Sequence, residues 1–355
     1  MRGFSRAAIA LALTAGASGA APPLPVHEGG RVIRHGDGSV EFGWPATYFE
    51  SRFHGTGVSV TLDSASERMR LLIDGAEKAL FIQPGPVSMT MAGLKLGDHL
   101  VRLEKLTESQ TGGGRFFGFT PTADGTPLPA PVHARAIEFV GDSYTVGYGD
   151  LSVSRTCTSQ EVHDRTDSQQ AFGPLLARRL GADYRVIAYS GFGIVRNYAG
   201  GAPGSNLPTL FARLKPDDAG QLDAPDDNWR PQLIVVNLGT NDFSTPLHAG
   251  EKWPDAAALQ ADYRASYVDF ARRLRAGSPQ ATLILMGSDA FFGAVEQVAA
   301  TLNRDGGRPV LTLHFGDLEL TGCNYHPSLK DQAGLAASLE SLIAQHPAIW
   351  GSAQP

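Results

Sequence analysis

Apolar and polar residues alternate in short segments over the N-terminal part of the chain, from residue 26 to residue 120. In residues 58–62, for example, Val, Val and Leu alternate with Ser and Thr, which is the pattern of a strand with one buried face. Turn-forming pairs such as Asp37-Gly38 and Pro84-Gly85 separate these segments. No amphipathic helical pattern interrupts them. We therefore predict a smaller all-β domain, a β-sandwich of jelly-roll type, over residues 26–120.

The pattern changes after residues 121–131, a Pro-rich stretch without periodicity that we interpret as a stiff linker. Short continuous apolar segments, typical of buried parallel strands, then occur at residues 136–140, 184–188, 233–238, 282–286 and 310–313. Helical patterns lie between them, and the longest has one apolar face made of Leu259, Tyr263, Tyr267, Phe270 and Leu274. This alternation predicts a three-layer αβα domain with a parallel sheet over residues 132–350.

The first 20 residues have the successive features of a secretory signal peptide. Arg2 and Arg6 give a basic start, residues 7–15 are apolar, and Ser18 and Ala20 are small residues suited to cleavage. The apolar segment is shorter than the ~20 residues that span a bilayer, and no later segment is long and apolar enough. We therefore predict an exported protein, secreted or periplasmic, with no membrane span.

Composition and charge exclude several classes of protein. The 355 residues are 42% hydrophobic and 19% charged, which favours a substantial core over disorder. The net charge of −6 provides no basic field for nucleic acid. Two cysteines cannot form a four-cysteine zinc site. Neither a phosphate-binding loop nor an HExxH motif occurs, so we predict no cofactor, no metal and no nucleic-acid partner.

Four short motifs follow the predicted strands and contain residues that suit catalysis. Ser143 lies in GDSYT after the first strand, Gly191 and Asn241 follow the second and third, and His326 follows the fifth. In an open parallel sheet, ligands bind beyond the carboxyl ends of the strands, so we expect these residues to lie together. A serine hydroxyl attacks a carbonyl well only when a base takes its proton. Ser143 alone could be part of an ordinary turn, but all four motifs in this order favour a catalytic site.

The chain order of Ser, Gly, Asn and His resembles that of the SGNH (GDSL-type) hydrolases. The stretches SGFGIVRNY at residues 190–198 and GCNYHP at residues 322–327 further resemble carbohydrate esterase family 2, the acetyl (xylan) esterases, which place a β-sandwich before the SGNH domain. The resemblance implies a secreted serine esterase that removes O-acetyl groups from acetylated plant polysaccharide or oligosaccharide. Xylan and glucomannan are the implied polymers, often with the acetyl group at the 6-hydroxyl.

The same resemblance implies a role for each of the four residues. Ser143 would be the nucleophile and His326 the base that later returns the proton to the leaving alcohol. The backbone N–H groups of Ser143 and Gly191 and the side-chain amide of Asn241 would form the oxyanion hole.

The sequence departs from the family at the residue that orients the histidine. Many SGNH enzymes carry Asp three residues before the His, where this chain has Cys323, and some family 2 esterases carry it two before, where this chain has Asn324. We hypothesise a Ser–His dyad in which a backbone carbonyl near Asn324 or Tyr325 accepts the Nδ1–H. Asp317 or Asp289, reaching in from a neighbouring loop, is the alternative.

Cys157 and Cys323 lie in loops that we expect at the same strand ends, one after the serine motif and the other beside His326. In an exported protein a disulfide between them would fix the histidine loop against the serine loop. Two unpaired buried thiols are the alternative.

The sequence is compatible with two other functions. One is a GDSL-type lipase or thioesterase that acts on longer acyl chains. The other is a catalytically inactive carbohydrate-binding protein, in which Asn324 is a relic of a lost triad.

Overall fold

The computed structural model describes residues 22–223 and 229–351. The predicted signal peptide, residues 1–20, lies outside this part of the chain. No helix within it is long and apolar enough to cross a membrane.

The N-terminal domain consists of two antiparallel sheets packed face to face. Its strands are β1 (His27–Gly29), β2 (Val32–Arg34), β3 (Val40–Phe42), β4 (Tyr48–Gly55), β5 (Val58–Asp63), β6 (Met69–Ile73), β7 (Ala76–Phe81), β8 (Pro86–Met91), β9 (Gly97–Lys105), β10 (Gly114–Pro121) and β11 (Thr126–Pro127). The strand orders are β1-β4-β9-β6-β7, with β11 beside β4, and β2-β3-β10-β5-β8.

The alternating residues of β5 show why these segments form a sandwich. Val58, Val60 and Leu62 are buried while Thr61 is exposed, as expected for a strand with one face against the core. Phe49 of one sheet stacks on Phe116 of the other, with ring centroids 4.3 Å apart. The predicted all-β domain is confirmed.

The Pro-rich linker, residues 121–131, is held against the β-sandwich by backbone hydrogen bonds. Within it, β11 pairs antiparallel with Phe53 and His54 of β4, and the Leu128 N–H donates to the Arg52 carbonyl at 3.0 Å. Proline has no N–H to donate to a neighbouring strand. Pro127 is tolerated because β11 lies at the edge of the sheet, where no further strand needs that hydrogen bond.

The second domain has a parallel sheet made of β12 (Arg135–Gly141), β13 (Ala182–Ala188), β14 (Leu233–Asn237), β15 (Thr282–Ser288) and β16 (Val310–Phe315). Their order is β13-β12-β14-β15-β16. The chain therefore moves from β12 to one side of the sheet and then crosses to the other. Such a switch in direction opens a crevice at the carboxyl ends of the strands involved, β12, β13 and β14.

Helices flank this sheet and complete the three predicted layers. They are α1 (Ser143–Val146), α2 (Ser159–Asp164), α3 (Phe172–Arg179), α4 (Leu207–Leu210), α5 (Thr240–Phe243), α6 (Ala256–Gly277), α7 (Phe292–Arg304) and α8 (Leu329–Ala344), with 3₁₀ turns at Ser168–Gln170, Tyr198–Gly200, Cys323–Tyr325 and Pro347–Trp350. Helix α3 packs with α8, and α6 with α7. All five residues of the predicted apolar face of α6 are buried, so the predicted αβα domain is confirmed.

Buried ion pairs join the two domains. Arg70 contacts Asp167 at 2.8 Å, and Arg31 contacts Glu138 at 3.2 Å. Removing one partner of such a pair leaves a buried charge uncompensated, which typically costs about 3–5 kcal/mol. The interface therefore favours one arrangement of the two domains over others.

Candidate active site

Ser143 is presented by a single helical turn at the end of β12. Asp142 caps this turn by accepting the Tyr144 N–H at 3.0 Å, and Gly147 ends it in a left-handed conformation with φ 80°. A Cβ on Gly141 would lie 1.9 Å from the Thr145 hydroxyl, so only glycine fits between strand and turn. These constraints hold the serine at the crevice of the switch point.

His326 lies within hydrogen-bond distance of the serine. Its Nε2 is 2.8 Å from the Ser143 Oγ, while its Nδ1 is 3.0 Å from the Cys323 carbonyl and 3.1 Å from the Asn324 carbonyl. Carbonyl oxygens only accept hydrogen bonds, so Nδ1 must carry the ring proton. The Nε2 lone pair is then free to accept the serine hydroxyl proton.

The structure does not bring the alternative carboxylates to His326. Asp289 pairs instead with the His314 Nε2 at 2.6 Å, and its side chain is 85% exposed. Asp317 lies in a left-handed loop position with φ 53°. None of the ion pairs among residues 22–223 and 229–351 includes His326 or Asp317. The orienting carbonyls belong to Cys323 and Asn324 rather than to Tyr325.

Burial lowers the pKa of His326 below its ordinary value of 6.5, and the two carbonyl hydrogen bonds offset this only in part. The Tyr148 ring covers one side of the imidazole, with centroids 4.3 Å apart. Removing water from the ring disfavours the imidazolium. The neutral form needed in a general base is therefore favoured at neutral pH.

Cys157 and Cys323 are joined in a disulfide across 166 residues of sequence, with Cα atoms 5.5 Å apart. The Cys323 N–H also donates to the Gly149 carbonyl at 3.2 Å. A Cβ on Gly149, whose φ is 59°, would lie 2.3 Å from the Cys323 Cβ. The loops that carry the serine and the histidine are thus held in direct contact.

Gly191 and Asn241 lie at the ends of the strands on either side of β12. Gly191 has φ 86°, a conformation that favours glycine. Within the described residues, the backbone N–H groups of Ser143 and Gly191 donate to no other group. The Asn241 Nδ2 donates to the Phe192 carbonyl at 2.9 Å, which ties the two strand ends together. The arrangement offers donors to a developing oxyanion.

Two carboxyl groups are buried behind these donors. Burial raises the pKa of Asp142 to about 7 and that of Asp242 to about 6. Asp242 accepts three consecutive backbone N–H groups at 2.9–3.0 Å, from residues 194, 195 and 196. These hydrogen bonds join the loop after Gly191 to the segment that contains Asn241. Asp242 is adjacent to the predicted Asn241, but nothing in the sequence indicates what it accepts.

Two residues of the N-terminal domain, which no sequence motif indicated, also contact the site. Glu108 accepts the Ser190 N–H at 2.7 Å, and the Gln110 Nε2 donates to the Ser190 carbonyl at 3.0 Å. Neither belongs to a recognisable motif, because contacts between residues about 80 positions apart in different domains carry no local pattern.

A parallel sheet of this order, with its polar residues at the switch point and an all-β domain before it, is the architecture of a two-domain SGNH hydrolase. The family described as Carbohydrate esterase 2 N-terminal matches residues 28–131, and GDSL-like Lipase/Acylhydrolase matches residues 137–340. An acetylxylan esterase / glucomannan deacetylase of Cellvibrio japonicus (strain Ueda107) is 42% identical over 341 residues, 92% of this chain and 93% of the relative. The chain belongs to carbohydrate esterase family 2 and is a carboxylic ester hydrolase.

Solved structures agree with this assignment. A carbohydrate esterase whose active site is described as having divergent catalytic and non-catalytic binding functions has a TM-score of 0.87 and 42% identity, over 93% of this chain and 100% of its own. A family two carbohydrate esterase from Clostridium thermocellum, in complex with cellohexaose, has a TM-score of 0.80 and 28% identity, over 92% and 100% of the two chains.

Proposed function

We propose that this protein is an exported serine esterase that removes O-acetyl groups from plant polysaccharide through a Ser–His dyad. The observation that carries the mechanism is the 2.8 Å contact between the Ser143 Oγ and the His326 Nε2 at the switch point of the sheet. The name of the Cellvibrio relative supports acetylated xylan or glucomannan as the substrate. The signal-like residues 1–20 support export.

In the first half of the proposed reaction, the Ser143 Oγ attacks the acetyl carbonyl while the His326 Nε2 takes the hydroxyl proton. The oxyanion of the tetrahedral intermediate accepts the N–H groups of Ser143 and Gly191 and the Asn241 amide. Collapse breaks the ester bond, and His326 gives its proton to the departing sugar oxygen. Water then hydrolyses the acetyl-enzyme by the same steps.

A dyad must stabilise the imidazolium without a carboxylate. In this site the Nδ1–H of His326 faces two carbonyl oxygens, of Cys323 and Asn324. Their dipoles favour the protonated ring, although less than a full negative charge would. The lowered pKa of His326 is consistent with this weaker stabilisation.

Two aromatic rings near the site are available to a sugar. Tyr198 is 58% exposed and Tyr325 is 65% exposed. The Arg155 guanidinium lies over the Tyr325 ring at 5.1 Å from its centroid, which restrains the ring while leaving much of it in solvent. Flat amphipathic rings suit the apolar faces of pyranoses, and this supports a polysaccharide substrate.

The proposed function is tested by acetate release from acetylated xylan and glucomannan, together with hydrolysis of p-nitrophenyl acetate, butyrate and octanoate. We expect acetate release from at least one polymer and the highest kcat/KM on the acetyl ester. Faster hydrolysis of octanoate would instead identify a lipase or thioesterase. Binding of both polymers without turnover of any ester would identify a carbohydrate-binding protein.

The dyad predicts that Asp289→Ala and Asp317→Ala each leave kcat unchanged, because neither carboxylate contacts His326.

The dyad also predicts that kcat/KM falls on the acid side with a midpoint below pH 6.5, since His326 must be neutral to act as the base and burial lowers its pKa. Asn324→Asp places a carboxylate near the ring, so this midpoint should move to higher pH. A fall of about 10⁴ in kcat in either alanine variant, the size expected for loss of a triad carboxylate, would exclude the dyad.

A further inference from the structure

The loop that follows β9 leaves the β-sandwich and contacts the catalytic domain directly beside Gly191. Glu108 accepts the N–H of Ser190 at 2.7 Å, and the Gln110 Nε2 donates to the carbonyl of the same residue at 3.0 Å. Ser190 immediately precedes Gly191 in the chain. Both backbone hydrogen-bonding groups of Ser190 are therefore held by side chains of the other domain.

The Ser190 carbonyl and the Gly191 N–H belong to one peptide group. A peptide group is planar, and in the trans form its C=O and N–H point in opposite directions. The described residues contain no cis peptide bond. A hydrogen bond that fixes the direction of the Ser190 carbonyl therefore also fixes the direction of the Gly191 N–H. Donation to the carbonyl further polarises the peptide and makes its N–H a better donor.

One turn hydrogen bond spans this peptide, from the Phe192 N–H to the Tyr189 carbonyl at 3.3 Å, and it is long. A Cβ on Gly191 would meet no atom within 4 Å, so the space on that side of Gly191 is open, and glycine adopts many backbone conformations. The Tyr198 N–H donates to the Gly191 carbonyl at 2.8 Å, but that carbonyl belongs to the following peptide. Among the described residues, the carbonyl of the donor peptide accepts a hydrogen bond from the Gln110 side chain alone, and Glu108 fixes the peptide before it.

We propose that Gln110 is a positioning residue, supplied by the N-terminal domain, that aims the Gly191 N–H at the oxyanion of the tetrahedral intermediate. The inference rests on the proposed function, in which Gly191 is an oxyanion donor. Gln110 touches no reacting atom and acts on the Gly191 N–H through the Ser190–Gly191 peptide. Its side chain also hydrogen-bonds the Glu108 carboxyl. The β-sandwich would then contribute to the rate of ester cleavage as well as to the stability of the fold.

The test compares Gln110→Ala, Gln110→Glu and Gln110→Lys by their kcat and KM on p-nitrophenyl acetate. Alanine removes the donor and should lower kcat about 3–10-fold, part of the 10²–10³-fold that loss of a whole oxyanion donor costs. Glutamate has the same size but turns an acceptor toward the carbonyl, so its kcat should fall further. Lysine restores a donor, and its kcat should lie between those of Gln110→Ala and the wild type. KM should stay constant throughout.

The controls separate positioning from stability. Gln110 is exposed, so the melting temperature of Gln110→Ala should stay close to that of the wild type. Gln83→Ala makes the same change at an exposed site of the same domain and should leave kcat unaltered.

Wild-type kcat in both Gln110→Ala and Gln110→Glu would overturn the proposal. A kcat of Gln110→Lys no higher than that of Gln110→Ala would also overturn it. So would a Gln110→Ala variant whose loss lies in KM or in melting temperature rather than in kcat. The readout does not depend on the natural polymer. Failure to release acetate from xylan or glucomannan would contradict the proposed substrate while the comparison of Gln110 variants stands.

Discussion

Replacing Ser143 with alanine is expected to lower kcat on p-nitrophenyl acetate and on the acetylated polymer by about six orders of magnitude, as loss of the nucleophile does in other serine hydrolases. The variant keeps the oxyanion donors and the histidine but has no oxygen 2.8 Å from the His326 Nε2 to form the acetyl-enzyme. Only the residual rate from binding and electrostatic stabilisation should remain. Initial rates and acetate release measure the effect.

The loss of activity in Ser143→Ala should not result from unfolding of the protein. The Ser143 hydroxyl makes one hydrogen bond, to His326, and a hydrogen bond of this kind contributes about 1 kcal/mol to stability. The melting temperature of Ser143→Ala should therefore stay close to that of the wild type. Combining Ser143→Ala with His326→Ala should give little further loss, because the two residues act as a unit. Activity that survives in Ser143→Ala would contradict the assigned nucleophile.

Much of this architecture could be predicted because burial leaves a direct pattern in sequence. The segments around Val58 and Val235 differ visibly, one alternating and one continuously apolar, since the first strand has one buried face and the second has two. The face of α6 that contains Tyr263 and Phe270 follows the helical period. The grouping of Ser143 with His326 follows from the carboxyl ends of parallel strands lying at one edge of the sheet.

The remaining features of the site depend on backbone groups and on tertiary contacts. Carbonyl oxygens orient His326, and every residue has one, so no residue type marks the position. The left-handed conformations of Asn324 and Tyr325, with φ 51° and 60°, accompany that arrangement but have no glycine to signal them. Gln110 reaches its partner Ser190 only because the two domains pack together. The resemblance leads to the hypothesis of a carbonyl near Asn324 or Tyr325, but the carbonyls that actually face His326 and the contact of Gln110 with Ser190 depend on the completed fold.

Asn241→Ala is expected to lower kcat by about 10²–10³-fold, or about 2.7–4 kcal/mol in the transition state, with little change in KM. The amide nitrogen has two hydrogens. One bonds the Phe192 carbonyl at 2.9 Å, whereas the 3.4 Å contact of the same nitrogen with the Asp142 Oδ2 is long and weak. The second hydrogen can therefore turn to a developing oxyanion, which exists only in the intermediate and its flanking transition states. Steady-state kinetics on p-nitrophenyl acetate measure both constants.

The charge of the Asp142 carboxyl affects the neighbouring Asn241 amide. An ionised Asp142 would compete for the Asn241 amide and repel the oxyanion. Burial raises the pKa of Asp142 to about 7, so the neutral form predominates below that pH. Asn241→Asp, which has the same shape, removes a donor and adds a carboxyl group, so its kcat should fall at least as far as that of Asn241→Ala. Asp242 holds the loop after Gly191 by accepting three backbone N–H groups, from residues 194, 195 and 196, in either variant. A rise in KM at unchanged kcat would mean that Asn241 binds the substrate rather than its transition state.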